Sequence, residues 1–439
     1  MKTEKKMLLS AIAACCLLTA CAKEPKKETH QETNTVTKEP SGGMMTGFPP
    51  SPEQTVTKEN WMQDPYIRWS LSHMREMIQT KQVWRGTGNP APLKYAPKNL
   101  NNFTIADENG EPVALQQFLT QTKTDAFLVM HEGKVVYEEY FNNTEPHEQH
   151  WMASLTKVFT GLLVSTLADE GKIDMTAKAS SYLPELENTA FGNATVQQLM
   201  DMQVSADFPT HGFEKSGLGN QDAQLFLASG QLPAIKGGPA SIYDMLKEAQ
   251  EQKEPGTAFS YNNGSAETLG WIVRRVTGKS LAKVMEERIW LKLHPEEDAY
   301  YVSDLLGTEQ ASAGLAATLR DMARFGDMVL NHGMVNGKRI LPETIFSEIA
   351  KGGNQQLFIE SATEIDKPSY SYHNLWWITN NENKAFEVTG SYGQRLYIDP
   401  KAKMVIVHLS SNADHNMEIQ DAYSNAYLKI AHFLMQQKK

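Results

Sequence analysis

The chain has 439 residues, is 41% hydrophobic and carries a formal net charge of −10. That acidic balance excludes a nucleic-acid-binding surface built on surplus lysine and arginine. All three cysteines, Cys15, Cys16 and Cys21, lie at the N-terminus, which excludes a disulfide framework, a thiolate metal site and a cysteine nucleophile from the rest of the chain.

Residues 1–20 combine a basic start (Lys2, Lys5, Lys6), an apolar run from Met7 to Leu18 and a small-residue exit. The run is shorter than the roughly 20 residues of a spanning helix, so the segment reads as an export signal. Its removal leaves a chain of about −12, still acidic. Leu18-Thr19-Ala20-Cys21 resembles the lipobox of bacterial lipoproteins. The resemblance implies lipidation of Cys21 and anchoring to a bacterial membrane, facing the periplasm or the cell exterior, where stable attachment needs more than one acyl chain. An ordinary cleaved signal is the alternative.

Residues 21–60 are rich in Lys, Glu, Thr and Gln, with Pro40-Ser41-Gly42-Gly43 and Pro49-Pro50-Ser51-Pro52. Such a composition buries little and reads as a disordered tether. From Trp61 aromatic and aliphatic residues become dense, so residues 61–439 are expected to form the folded part.

Ala126 to Phe141 predicts two strands joined at His131-Glu132-Gly133-Lys134. Ser154 to Glu170 predicts a helix: Leu155, Val158, Phe159, Leu162, Leu163 and Leu167 recur at helical spacing, and Gly171 supplies a stop. From about 172 to 304 the patterns are mostly helical, as in Glu267 to Val276 and Leu281 to Leu291, and read as an inserted helical region. Trp376 to Ile378, Ala385 to Thr389, Gln394 to Ile398 and Met404 to Leu409 read as strands, and Gln420 to Met435 as a closing helix. Fold class is therefore α/β.

The chemistry starts at Ser154 and Lys157. At i and i+3 on a helix the two side chains share a face, and the serine N–H lies where no intrahelical acceptor exists and the helix dipole is positive. Serine as nucleophile and lysine as base fit that placement. A lysine base needs its pKa brought from about 10.4 to about 7, a preference of about 4.6 kcal/mol for the neutral form, which apolar burial supplies. The pattern alone is weak: Ser280 and Lys283 repeat it, where it reads as a helix N-cap with a solvated lysine.

Two further elements follow in order. Tyr261-Asn262-Asn263 precedes a helix; its phenol suits proton relay, and the Asn263 amide suits holding the lysine and a substrate carbonyl. Val388-Thr389-Gly390-Ser391 precedes a strand, where a substrate could lie along the edge with the Ser391 N–H as oxyanion donor.

Ser-x-x-Lys, Tyr-x-Asn and a Gly-containing strand in this order resemble the serine β-lactamase and DD-peptidase superfamily, and most of all its class C-like, esterase-type branch that includes 6-aminohexanoate-dimer hydrolase. Further resembling stretches are Pro65 to Ser70, Gly256 to Tyr261, Leu269-Gly270-Trp271, Ala313-Gly314-Leu315, Leu319 to Gly326 and Tyr392 to Pro400. The resemblance implies an antiparallel sheet flanked by helices plus a helical region, with the active-site cleft between them. It also implies hydrolysis of a small amide or ester through an acyl-enzyme on Ser154, with Lys157 as base, Tyr261 as proton shuttle, and Asn263, Gly390 and Ser391 lining the substrate and oxyanion site.

One position departs from the pattern. Penicillin-recognising relatives place lysine or histidine where this chain has Val388, so a cation for a β-lactam carboxylate is missing there; Arg395 is either a substitute or a solvated strand residue. Linear amides or esters are therefore favoured over the alternative, a DD-peptidase or class C-type β-lactamase. A non-catalytic cell-wall-binding or scaffold relative is the reading from another class. Glu145, His147 and His150 lack helical zinc-site spacing and read as a solvated loop, and no Walker or dinucleotide fingerprint occurs. No cofactor or metal is expected.

Overall fold

The computed structural model describes residues 43–437 except 108, 213–217, 363–368 and 415–416. The export signal, Cys21 and tether residues 21–42 lie outside the described residues. Among the described residues no helix is long and apolar enough to cross a membrane.

An eight-stranded sheet organises the molecule. Its strands are β1 (Lys94–Tyr95), β2 (Thr124–His131), β3 (Lys134–Tyr140), β4 (Ser371–His373), β5 (Trp376–Ile378), β6 (Phe386–Gly390), β7 (Gln394–Asp399) and β8 (Met404–Ser410). They lie in the order β4-β5-β6-β7-β8-β2-β3-β1, and β1 alone runs parallel to its neighbour. β8 pairs with β2, so the sheet is built from both ends of the chain. β2 and β3 join through Glu132 and Gly133, with φ of 51° and 71°, the backbone that a two-residue hairpin needs to match strand twist. His131 is thus the buried end of a strand rather than a turn residue.

Five helices matter for the site: α1 (Thr156–Asp169), α2 (Gln221–Ala228), α3 (Asn263–Thr277), α4 (Leu319–Leu330) and α5 (Met417–Gln436). Alternation along β2 divides the interior. Ala126, Leu128 and Met130 face a core shared with Val158, Phe159 and Leu162 of α1 and Met322 and Phe325 of α4. Phe127 and Val129 face a second core closed by Tyr423, Tyr427 and Ile430 of α5. Phe159 stacks on Phe325 with ring centroids 4.0 Å apart, which fixes α1 against α4.

Most of the regular structure described between residues 172 and 304 is helical, but the segment is not a separate body. Phe191, Leu199 and Trp271 belong to the same core as Leu128 of the sheet. Its end supplies a strand, Ala299–Val302, to a small sheet ordered Thr80–Val83, Ala299–Val302, Leu315–Ala317 and His150–Trp151. Such short strands carry no usable periodicity.

The tether reading extends too far toward the C-terminus. Val56 is buried and Met44 packs beside it in a third core with Trp61, Trp151 and Tyr300, so residues 43–60 lie against the folded part. A few apolar anchors suffice to dock a segment whose average composition is polar.

Candidate active site

Ser154 sits in a 3-10 turn, Ala153–Leu155, that leads directly into α1. The small sheet holds this turn. Met152 N–H donates to Leu315 O at 2.8 Å, Thr156 Oγ1 donates to Ala153 O at 2.7 Å and accepts from Leu315 N–H at 3.0 Å. Ala153 adopts φ 45°, an uncommon backbone for a residue with a side chain, and this bend turns the serine out of the strand direction.

Lys157 is fully buried. Its Nζ lies 2.9 Å from Ser154 Oγ and donates to Asn263 Oδ1 at 2.7 Å and Ser312 O at 3.2 Å. Burial brings its pKa down from the usual lysine range to about 7, against the opposing pull of the Asp222 and Glu267 carboxylates. The Tyr261 ring stands over the amine, 5.0 Å from Nζ to centroid. Burial holds the phenol well above its usual pKa, with neighbouring Ser154 opposing, so Tyr261 is a neutral donor at physiological pH.

Asn262 caps α3 by accepting from Ser265 N–H, so Asn263 belongs to the first helical turn rather than to a free loop. Its two amide ends are both engaged: Oδ1 receives Lys157 and Nδ2 donates to Asp222 Oδ1 at 2.6 Å. That commits one of the two amide protons expected to meet a substrate carbonyl. Gln221 braces the same segment, donating to Tyr261 O at 3.2 Å and accepting from Asn263 N–H at 3.0 Å.

Solvent reaches Asp222, yet surrounding protein pushes its carboxyl above the usual range, countered by Lys157 and the Asn263 amide. Trp377 stacks on Tyr261 with centroids 5.3 Å apart, and Tyr372 packs edge-on against both, so an aromatic cluster backs the Tyr261 ring.

Gly390 ends β6 and Ser391 opens the turn that follows, beside the Ser154 turn. A Cβ on Gly390 would lie 2.8 Å from Met152 O and 3.1 Å from Ala153 Cβ, so only glycine permits this approach. Ser391 is exposed. β6 is not an edge strand: it pairs with β7 along its length and with β5 at Phe386 and Glu387. Only its end, Val388 to Gly390, lacks a ladder partner on the β5 side, because β5 starts at Trp376.

Val388 is buried in the main core and presents nothing to the cleft. Arg395 is neither a substitute cation nor solvated. It is 1% exposed, paired with buried Glu387 at 3.3 Å, and lies over the Tyr423 ring of α5 on the opposite side of the sheet. Ser280 caps the next helix by accepting from Lys283 N–H, while Lys283 pairs with Glu286. Of the three residues read as a solvated loop, His147 is exposed, but His150 is buried and bonded to Asp125 at 3.1 Å. Among the described residues no cluster of His, Cys, Asp and Glu suits a metal.

Asp222, Glu267 and Ser312 were not singled out from the sequence. Asp222 lies in no motif. Ser312 adjoins Ala313-Gly314-Leu315, and Glu267 is an acid on the stripe that α3 buries; an ionisable residue on an apolar stripe is the signal that could have found it.

The family model described as Beta-lactamase matches residues 114–428. The 6-aminohexanoate-dimer hydrolase of Paenarthrobacter ureafaciens is 30% identical over 368 residues, covering 84% of this chain and 91% of that protein. The structure of a putative 6-aminohexanoate-dimer hydrolase from Bacillus anthracis superposes with a TM-score of 0.83 and 53% identity, covering 88% of this chain and 99% of the other. An octameric penicillin-binding protein homologue from Pyrococcus abyssi, 18% identical with a TM-score of 0.54 over 72% of this chain and 75% of its own, shares the fold. On the family match and the long similarity to both hydrolases, this chain belongs to the beta-lactamase family and is a serine hydrolase of the amidase or esterase type.

Proposed function

We propose that the protein hydrolyses a small linear amide or ester through an acyl-enzyme on Ser154, with Lys157 as general base and Tyr261 as proton shuttle. One observation carries this reading. Asn263 Oδ1 and Ser312 O take two N–H protons of the amine, so a neutral Lys157 has its lone pair left for the third neighbour, Ser154 Oγ at 2.9 Å.

As Ser154 Oγ attacks the carbonyl carbon, its proton passes to Lys157. The backbone N–H groups of Ser154 and Ser391 receive the oxyanion, an interaction worth about 3 to 4 kcal/mol per donor in such sites. Tyr261, beside both Ser154 and Lys157, gives its phenol proton to the departing amine or alcohol as the tetrahedral species collapses and regains one from the Lys157 ammonium. Water then attacks the ester with the same groups in reverse roles. A fluorophosphonate is expected to label Ser154, located by peptide mass mapping, at a rate that rises with pH through about 7 as Lys157 loses its proton. Labelling elsewhere, or a flat profile across that range, would remove the mechanism.

The substrate class follows from the cleft. A 6-aminohexanoate dimer, the compound in the names of two relatives, is a linear amide with an ammonium at one end and a carboxylate at the other. Asp222 offers the site a carboxylate for the ammonium end. Asp222→Asn is expected to raise KM for an ammonium-ended linear amide about ten-fold, equivalent to about 1.4 kcal/mol, while changing KM for a neutral aryl ester by less than about two-fold. Equal changes for both substrates would dismiss the cation subsite.

The Leu18 to Cys21 segment supports an exported enzyme anchored by lipid on Cys21, acting on small molecules outside the cytoplasm. The mass of the N-terminal peptide from membrane-bound protein tests this; an unmodified Cys21 refutes it.

A further inference from the structure

One helix governs both acceptors that hold Lys157. Asn263 and Glu267 lie four residues apart on α3 and share a face. Asn263 touches the lysine directly, whereas Glu267 does not. The Glu267 carboxylate is fully buried and accepts from Ala311 N–H at 2.9 Å, Ser312 N–H at 2.8 Å and the Ser312 hydroxyl at 2.6 Å. The next oxygen along that segment, Ser312 O, is the one that accepts from Lys157 Nζ.

The surrounding packing makes this link stiff. Gly270, further along the same face of α3, lets the helix lie against the segment; a Cβ there would meet Ala311 Cβ at 2.3 Å. Ala311 O accepts from Thr160 Oγ1 of α1 at 2.7 Å. The Ala311–Ser312 segment is thus clamped between the helix that carries the base and the helix that carries the carboxylate.

A buried charge used only to secure a loop is an expensive solution, because a neutral hydrogen-bonding side chain avoids the desolvation cost. Two of the three donors are backbone N–H groups, which cannot accept, and they suit the ionised form. Several charged or titratable groups face this pair. Lys157 is approached by Asp222 of α2, Glu267 of α3 and the Tyr261 phenol; burial pushes the Glu267 carboxyl above its usual range, opposed by its three hydrogen bonds and by Arg274 of α3, and the Tyr301 phenol of the Ala299–Val302 strand also senses it.

We propose that Glu267 is a positioning residue for Lys157: it fixes the Ser312 carbonyl that orients the amine, and its negative charge keeps the buried amine basic enough to take the serine proton. Without that charge, burial would act on the lysine with only Asp222 opposing it. This inference rests on Lys157 being the base.

Glu267→Gln removes the charge and sets an NH2 group against converging donors. We expect kcat to fall about ten-fold or more, KM to change less than about three-fold, and the acid limb of the kcat/KM profile to move down by about half a pH unit or more. Glu267→Asp keeps the charge but shortens the reach; kcat falls while the acid limb stays within about 0.3 of the parent. An unmoved acid limb in folded Glu267→Gln, judged by its thermal unfolding, overturns the proposal, and so does parental kcat in either variant. Should the glutamine variant not fold, Glu267→Asp decides: reduced kcat with an intact acid limb supports the role and parental kcat ends it. Lys157→Ala assayed in parallel separates the two levels, since full fluorophosphonate labelling in that variant refutes the base assignment itself.

Discussion

Lys157→Met is expected to impair catalysis and to change how stability depends on pH. Loss of the general base costs about 10² to 10⁴ in rate, so hydrolysis and Ser154 acylation both fall into that range. Stability moves differently. The folded-state pKa of about 7 lies below the ordinary lysine value of 10.5, so between these pH values the unfolded chain holds the proton more tightly. Parental stability therefore rises with pH across this window and carries the full penalty, about 4 to 5 kcal/mol, below pH 7. Methionine has no such penalty, but it leaves Asn263 Oδ1 and Ser312 O without this donor, at about 1 to 3 kcal/mol each. Those losses do not titrate. Denaturant unfolding at pH 7 and pH 10 is thus expected to show the variant losing about 3 kcal/mol relative to the parent as pH rises. A constant difference would mean that the lysine is not held neutral by burial.

Ser154→Ala is expected to remove the covalent route. Activity on amide and ester substrates falls by about 10⁴-fold or more, because nucleophile, base and shuttle act as one unit and the loss of one member idles the others. Substrate affinity changes little, since Asp222, the aromatic cluster at Trp377 and the end of β6 stay in place. Unfolding stability is expected to shift by less than about 1 kcal/mol, because a partly exposed hydroxyl gives way to a methyl group. Turnover within ten-fold of the parent would require a different nucleophile. Together the two variants separate the serine's chemical role from the lysine's chemical and thermodynamic ones.

Much of this was legible from residue patterns. Leu155, Val158, Phe159 and Leu162 mark a helix by their spacing, and the structure places α1 there, buried nearly all round. The short runs Gln394 to Ile398 and Met404 to Leu409, rich in apolar residues, mark strands buried on both faces, and β7 and β8 occupy them. Ser154, Lys157, Tyr261 and Asn263 fall within one site because Ser154 and Lys157 share a single turn and the other two sit at a helix entrance. Asp222 was out of reach, since its place depends on how α2 abuts α3. The small sheet was hidden because strands such as His150–Trp151 are too short to show a period. Arg395 was read by its charge alone; its ion pair with Glu387 exists because strands β6 and β7 place the two on the same buried face.

The position of β2 between β8 and β3 also bears on when the protein can work. Ser154 and Lys157 leave the ribosome early, but the strand that completes their supporting sheet runs from Met404 to Ser410. A nascent chain that lacks it carries the reactive pair with β2 uncovered along one side and no β6 end beside the serine turn. Competence therefore waits for the strand Met404–Ser410, and a polypeptide terminated before it holds the chemical groups without the enzyme.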